Sequence, residues 1–245
     1  MRRPSLPRWN FNHEIKRYSR KTQGAGEGIM NDVRVKICGL TSLRSLRWAV
    51  EAGADAVGFV VGVPDSPRNL SLDDARRLID ATPVFVDPVV VTVHEDLKQL
   101  EKIRRKLNPR IIQIHGSICM HEEIRKIFSD AQIIGAIHTE NDEIIKSAIE
   151  ASERFDALLL DSYVPGKLGG TGKTHDWNLS RRVRDAVYPK PFILAGGLTP
   201  KNVKEAICTV RPFAVDVSSG VESNPGVKDP EKIFEFIRNA KEVKL

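Results

Sequence analysis

Two side chains of this 245-residue chain are suited to acid–base chemistry, and each comes at the end of a short run rich in Val, Ile or Leu. Cys38 follows the run VRVKI, and a thiol with a lowered pKa can serve as a nucleophile or a base. Asp161 ends the run ALLLD, where an unpaired carboxylate would be costly to bury. The simpler alternatives are a small buried core residue for Cys38 and a hydrogen-bonded structural acid for Asp161.

A second set of residues is suited to holding an anion. Gly196 and Gly197 follow the apolar run FILA, and Ser218, Ser219 and Gly220 follow AVDV. Glycines let the backbone approach an anion closely, while backbone N–H groups and hydroxyls donate hydrogen bonds to it. A tight turn would explain either loop alone, but two such loops after consecutive apolar runs favour a phosphate site.

Four further features accompany these residues. The planar guanidinium of Arg68 suits a carboxylate ligand, with a surface salt bridge as the alternative. His115 ends the run IIQIH and is more readily explained as a hydrogen-bonded barrel residue than as a base. Lys36 shares a strand face with Cys38, because side chains alternate along a strand, and could help to lower the thiol pKa. The glycine-rich stretch 166–173 could act as a lid.

The elements that must position these residues follow a repeating pattern. Short β-branched runs alternate with amphipathic stretches, which indicates a parallel sheet covered by helices. Eight such units favour a closed barrel, because closure leaves no sheet edge. The dinucleotide-binding alternative needs GxGxxG after the first strand, and this chain lacks it there. We predict an α/β fold, a single-domain (β/α)8 TIM barrel of the phosphate-binding type. Its strands are predicted at 33–37, 56–61, 88–93, 110–115, 132–137, 157–161, 192–195 and 214–217.

Capping residues predict where helices begin. Thr41 or Ser42 is expected to open the first helix, Ser71 a second, and Pro200 a helix that starts directly after Thr199. The stretch 96–107 carries an apolar stripe at spacings of three and four, which we expect to pack on the sheet. Its members are Leu97, Leu100, Ile103 and Leu107.

Composition excludes several classes of protein. With 41% hydrophobic and 29% charged residues and no apolar run of membrane-spanning length, the chain is predicted to be cytoplasmic and not bound to a membrane. Its three cysteines are far apart and have no partners at metal-ligand spacing, so we expect neither a disulfide framework nor a metal site. Five of the six net positive charges lie in residues 1–29, so no nucleic-acid surface is expected on the domain itself.

The basic segment 1–29 is predicted to be an extension separate from a catalytic barrel domain at 30–245. Its composition and the glycines at its end predict disorder. Three interpretations remain open for it: a tail from an upstream start codon, a basic docking arm, and an arginine-rich transit peptide. None of them alters the chemistry expected of the barrel.

Taken together, the motifs closely resemble the phosphoribosylanthranilate isomerase family. The resemblance covers nearly everything after residue 30, and its order of motifs is specific. One departure is Asp87-Pro88-Val89, in place of the glycine-containing pattern of the family. The matching segments are VKICGLT (35–41), AVEAGADAVGFV (49–60), SPRNLS (66–71), IQIHG (112–116), LLLDS (158–162), GGTGK (169–173), DW (176–177), ILAGGLTPKNV (193–203) and VDVSSGVESNPGVKD (215–229).

The resemblance implies a role for each candidate residue. Cys38 would be the general base, Asp161 the general acid and Arg68 the ligand of the anthranilate carboxylate. The phosphate would lie at the two glycine loops, Gly196 with Gly197 and Ser218 with Ser219 and Gly220, while Asp216 would have a supporting role. The implied reaction is an Amadori rearrangement of a small-molecule substrate, which needs neither metal nor organic cofactor. Since Asp161 must donate a proton, we expect burial to raise its pKa.

Two alternatives are retained. A related phosphate-sugar barrel, such as a pentose-phosphate epimerase or indoleglycerol-phosphate synthase, would need metal-binding or lysine and glutamate residues that the strand ends do not supply. A non-catalytic metabolite-binding barrel would keep the phosphate loops but has no need of both Cys38 and Asp161. The sequence leaves a monomer and a homodimer equally open.

Overall fold

The computed structural model describes residues 33–93, 96–116, 120–138, 143–161 and 176–245. The predicted extension at 1–29 and the whole glycine-rich stretch 166–173, which contains the GGTGK motif (169–173), lie outside these ranges. Residues 30–32 also lie outside, so the described part of the barrel domain begins at Val33.

Eight parallel strands form a closed ring, as the alternating pattern predicts. Each strand pairs with the next, and the first strand pairs with both the second and the last. Every strand boundary falls within one residue of its prediction. The strands are β1 (Arg34–Ile37), β2 (Ala56–Val61), β3 (Asp87–Val93), β4 (Ile111–His115), β5 (Gln132–His138), β6 (Ala157–Asp161), β7 (Phe192–Leu194) and β8 (Ala214–Val217).

Helices cover the outside of this ring. Within the described ranges they are α1 (Leu43–Ala52), α2 (Leu72–Asp80), α3 (Leu97–Leu107), α4 (His121–Ile127), α5 (Ile144–Arg154), α6 (Trp177–Val187), α7 (Val203–Val210) and α8 (Pro230–Lys241). None of the helices in the described part of the chain is long and apolar enough to cross a membrane. A short strand, Asn69–Leu70, pairs in parallel with the end of β2, and a hairpin of Glu222–Asn224 and Val227–Lys228 follows β8.

The predicted helix starts are correct with one exception. The hydroxyls of Ser42 and Ser71 cap α1 and α2, because each accepts a hydrogen bond from a backbone N–H group in the first turn of its helix. The prediction of a helix start at Pro200 is wrong, because α7 begins at Val203. The intervening residues form a turn in which Asn202 binds both sides of the loop through its side chain.

Two apolar layers lie on the two faces of the barrel sheet. Val35 and Ile37 belong to the outer layer, which packs the sheet against the helices, whereas Cys38 and Leu159 belong to the layer inside the barrel. Since neighbouring side chains point to opposite faces, Lys36 also points inward. The predicted stripe of α3 is confirmed, because three of its residues are buried and the fourth packs against the outer layer.

Long-range side-chain contacts join the first quarter of the chain to its last. Lys241 at the end of α8 donates to the carboxylate of Asp55 at 2.6 Å, across 186 positions. The hydroxyl of Thr41 donates to the carbonyl oxygen of Gly226 at 3.1 Å. These contacts, which we call the seam, cross the line where β1 closes the ring against β8.

Candidate active site

Polar side chains gather at the carboxyl-terminal mouth of the barrel. His115, His138 and Asp161 are the last residues of β4, β5 and β6, and Cys38 directly follows β1. Asp161 comes two residues after the inward-facing Leu159, so it lies on the inner face as well. His138 and Asp161 are register partners on adjacent strands. The mouth of a barrel is where such folds carry their chemistry.

Cys38 lies in a tightly packed position beside β2. It is 7% exposed, and its backbone N–H donates to the carbonyl oxygen of Val217 at 2.8 Å. A Cβ atom at Gly58 would come within 2.7 Å of the sulfur, so the strand beside the thiol must carry a glycine. Burial raises the thiol pKa, and the positive charges of Lys36 and Lys228 offset this only in part. Lys36 thus acts in the expected direction, but the resting thiol remains protonated near neutral pH.

A buried ion pair lies one layer below the mouth. The ammonium of Lys36 lies 3.0 Å from both carboxylate oxygens of Asp216 and 3.0 Å from the side-chain carbonyl oxygen of Gln113. All three side chains are nearly inaccessible to solvent. Burial alone would lower the pKa of Lys36, but the Asp216 carboxylate and the Cys38 side chain together outweigh burial and raise that pKa. Asp216 is thus the counter-ion of Lys36 in the structure.

The polar layer continues upward to the mouth through Gln113. Its side-chain nitrogen lies 2.8 Å from Nε2 of His115. The rings of His115 and His138 lie with their centroids 5.6 Å apart. Burial, and then the neighbouring His138 and Lys36, lower the pKa of His115 to about 3, so the ring is neutral at physiological pH.

Arg68 is held from one side by a carboxylate that the sequence analysis did not single out. Its Nε and Nη2 donate to the two oxygens of Glu222 at 2.7 and 2.6 Å. This pair is largely buried, so the surface salt bridge considered for Arg68 is wrong. A carboxylate ligand of Arg68 would therefore have to use the edge of the guanidinium that faces away from Glu222.

Lys228 is a second cation bound to the same carboxylate. Its ammonium donates to Glu222 at 2.7 Å and to the backbone carbonyl oxygen of Ser218 at 2.9 Å. Burial raises the pKa of Glu222, but hydrogen bonds from Arg68 and the charge of Lys228 bring it below its usual value. Two cations on one carboxylate leave a net positive charge beneath the loop that follows β8.

The two glycine loops pack directly against each other. Gly196 and Gly197 adopt left-handed backbone conformations, with φ of 82° and 65°. A side chain at Gly220 would collide with the carbonyl oxygen of Leu198, so only glycine permits this approach. Gly196, Gly197, Ser218, Ser219 and Gly220 are all partly accessible. The structure therefore brings together the two loops for which a phosphate was predicted.

Three buried polar residues escaped the sequence analysis: Gln113, Glu222 and Lys228. Gln113 alternates with Ile112 and Ile114, which is a sequence signal for an inward-facing polar residue. Glu222 and Lys228 carried no such signal, because each lies in a hairpin without a periodic pattern. Within the described ranges, no three His, Cys, Asp or Glu side chains cluster in a way that could hold a metal ion.

A closed (β/α)8 ring with a thiol, a carboxylate and two glycine loops at one mouth defines the class of (β/α)8-barrel enzymes. Residues 35–239 match the family model described as N-(5'phosphoribosyl)anthranilate (PRA) isomerase. The chain belongs to this family, and it is an isomerase.

Individual relatives agree with the family model. The N-(5'-phosphoribosyl)anthranilate isomerase of Methanothrix thermoacetophila is 45% identical over 210 residues, which are 85% of this chain and 98% of the relative. The crystal structure of phosphoribosyl anthranilate isomerase from Thermotoga maritima superposes with a TM-score of 0.77 at 43% identity, covering 86% of this chain and all of the other. A further structure, with a TM-score of 0.73 and 40% identity over 86% of this chain and all of the other, is a complex with reduced 1-(o-carboxyphenylamino)-1-deoxyribulose 5-phosphate.

Proposed function

We propose that this protein converts N-(5'-phosphoribosyl)anthranilate to 1-(2-carboxyphenylamino)-1-deoxyribulose 5-phosphate in tryptophan biosynthesis. Asp161 is the general acid and Cys38 the general base. The observation that carries the assignment is that both side chains stand at the inner, carboxyl-terminal end of a strand in one closed barrel. The names of the relatives, and the ligand of one of them, support the choice of substrate.

The first step opens the sugar ring. Asp161 transfers a proton to the furanose ring oxygen, the bond from that oxygen to C1 breaks, and the nitrogen lone pair forms a Schiff-base cation with C1. The ring oxygen leaves as the hydroxyl on C4. Asp161 must carry a proton for this step.

The second step removes the proton on C2. Cys38 accepts this proton as a thiolate, and the electron pair of the C–H bond forms the C1–C2 double bond of an enolamine. The enolamine then gains a proton at C1 and loses the one on its C2 oxygen, which gives the ketone. Only proton transfers are needed.

The protonated state of the resting thiol fits this order of events. Burial and Asp216 raise the Cys38 pKa, while Lys36 and Lys228 lower it. A Schiff-base cation beside the sulfur adds a third positive charge, which favours the thiolate once the ring has opened. The base is therefore expected to become active only when its substrate is ready to lose a proton.

The two ends of the substrate have separate anchors. The loops with Gly196, Gly197, Ser218, Ser219 and Gly220 are suited to the phosphate, and Lys228 beneath them adds positive charge. The free edge of Arg68 is suited to the anthranilate carboxylate. Binding both ends of the substrate holds its reacting carbons between the acid and the base. This orientation lowers the entropic cost of reaching the transition state.

Turnover is tested directly by fluorescence. Purified protein is supplied with phosphoribosylanthranilate formed in situ, and loss of the anthranilate-type fluorescence is followed. We expect rapid loss that depends on enzyme concentration. If fluorescence decays no faster than in the enzyme-free reaction, the proposed function is wrong.

Two substitutions test the catalytic roles. Cys38→Ala and Asp161→Asn should each lower kcat by roughly 10²–10⁴-fold while leaving the unfolding transition near that of the parent. Matched controls are Cys208→Ala, at an exposed cysteine, and Asp87→Asn, at an exposed carboxylate at the start of β3. If the Cys38→Ala variant kept full activity, the assignment of Cys38 as the general base would be wrong.

A further inference from the structure

We infer that His115 is a hydrogen-bond donor to the substrate through its Nδ1–H, and that Gln113 and Lys36 are positioning residues that fix this tautomer. The identity of the substrate rests on the proposed function. The tautomer of His115 follows from the contacts alone and can be tested without any turnover.

The Gln113 amide is oriented by Lys36. The ammonium of Lys36 has three donors and no acceptor, so the Gln113 atom 3.0 Å away from it must be the carbonyl oxygen. The Asp216 carboxylate holds Lys36 charged and in place. The orientation of the amide, which is otherwise ambiguous, is fixed by this buried cation.

The orientation of Gln113 in turn determines the tautomer of His115. With its oxygen on Lys36, Gln113 presents its NH2 group to Nε2 of His115 at 2.8 Å. An amide NH2 can only donate, so Nε2 must accept through its lone pair. A neutral imidazole with a lone pair on Nε2 carries its proton on Nδ1. Protonation of Nε2 would set two donors against each other, which agrees with the neutral state of the ring.

The proton on Nδ1 of His115 lies at the mouth of the barrel. His115 is the last residue of β4, faces the barrel interior and is partly accessible, so its remaining nitrogen is available to a molecule in the mouth. The groups around it are Gln113, Lys36 and the ring of His138, which stands next to Asp161 in register. A neutral N–H donor suits an uncharged sugar hydroxyl or ring oxygen. It does not compete with Asp161 as a proton source.

The tautomer is measured by long-range ¹H–¹⁵N correlation NMR on the ¹⁵N-labelled protein. The His115 signals are assigned from their loss in His115→Gln. We expect a pyrrole-type shift for Nδ1 and a pyridine-type shift for Nε2, unchanged from pH 8 to pH 5. A pyrrole-type shift at Nε2 in the parent protein would overturn the inference.

A single near-isosteric change should reverse this pattern. In Gln113→Glu the side chain can only accept, so it should draw the proton of His115 onto Nε2. The matched control is Gln99→Glu, whose amide binds the carbonyl oxygen of Gly62 outside this layer. We expect Gln99→Glu to leave the His115 tautomer as in the parent. A Gln113→Glu spectrum identical to the parent would contradict the positioning role.

Contact with the substrate is tested by binding and by kinetics. Addition of the reduced aminodeoxyribulose phosphate found in the related complex should shift the Nδ1–H signal, and no shift would overturn the contact. His115→Leu should lower kcat/KM about tenfold or more, whereas His115→Asn, which keeps an N–H donor near Nδ1, should recover most of it. Unchanged kcat/KM in His115→Leu would overturn the contact. Absence of turnover in the parent protein would instead refute the proposed function and leave the tautomer result standing.

Discussion

The buried pair of Lys36 and Asp216 should couple strongly in a double-mutant cycle. Their side chains are 5% and 8% exposed, and the ammonium lies 3.0 Å from the carboxylate. Lys36→Met leaves a buried carboxylate without its cation, and Asp216→Leu leaves a buried ammonium without its anion. Each single change should therefore cost about 3–5 kcal/mol of unfolding free energy.

The double variant, Lys36→Met with Asp216→Leu, removes both charges together. It should be far less destabilised than the sum of the singles, by several kcal/mol, because no unpaired charge remains in the barrel. The assay is urea unfolding followed by circular dichroism, with the slope on denaturant compared between variants. The control is Arg77→Met, which breaks a solvent-exposed pair with Asp74 and should cost roughly 0.2–1 kcal/mol.

The same pair sets an alkaline limit to stability. Because the pKa of Lys36 is raised by folding, its contribution is fully present below the unfolded pKa and is lost as pH rises through the folded value. The parent should thus lose stability above about pH 10.5 more steeply than the double variant. Two results would refute the reasoning on the buried pair. One is a single variant that loses less than about 1 kcal/mol of unfolding free energy, and the other is a double variant whose loss equals the sum of the two single losses.

Four further outcomes are expected. Gly220→Ala should destabilise the protein by more than about 2 kcal/mol in urea unfolding, because its Cβ meets a backbone oxygen. Gly53→Ala, whose Cβ meets open space, should cost only about 1 kcal/mol for its left-handed backbone. Glu222 has a lowered pKa, so its stabilisation should be lost as pH falls below about 4.5; Glu222→Gln should flatten that acid limb of the stability curve. Cys38 should react slowly with iodoacetamide at pH 7 and faster above pH 9 when Cys119 and Cys208 are both replaced by alanine, and rapid alkylation at pH 7 would contradict this.

The strands and most helix starts could be predicted because their signals are local. The alternation VRVKIC predicted that Lys36 and Cys38 share one strand face, and in the structure that face is the inner one. The partner of Lys36 could not be predicted, since Asp216 lies 180 positions away and only closure of the barrel brings the two together. The acid, base and anchor roles of the mouth residues remain predictions that the mutants above would test.

Arg68 and Pro200 show two different limits of local reasoning. The sequence suggested either a ligand or a surface salt bridge for Arg68, whereas its partner Glu222 stands 154 positions later in a hairpin without periodic pattern. Pro200 is compatible with the first turn of a helix. It lies instead in a turn closed by Asn202, because the side chain of that residue satisfies the loop backbone that a helix would otherwise have used.

The seam has a consequence for the order in which the chain is assembled. During synthesis β1 keeps one unpaired edge until β8 emerges, and the contacts Lys241–Asp55 and Thr41–Gly226 span 186 and 185 positions. Ring closure is thus the most non-local event in folding and the one with the greatest loop entropy to overcome. A circular permutant of residues 33–245 that links the two ends and opens between α4 and β5 would make these contacts short-range. It should close faster in stopped-flow refolding than the natural order of the chain.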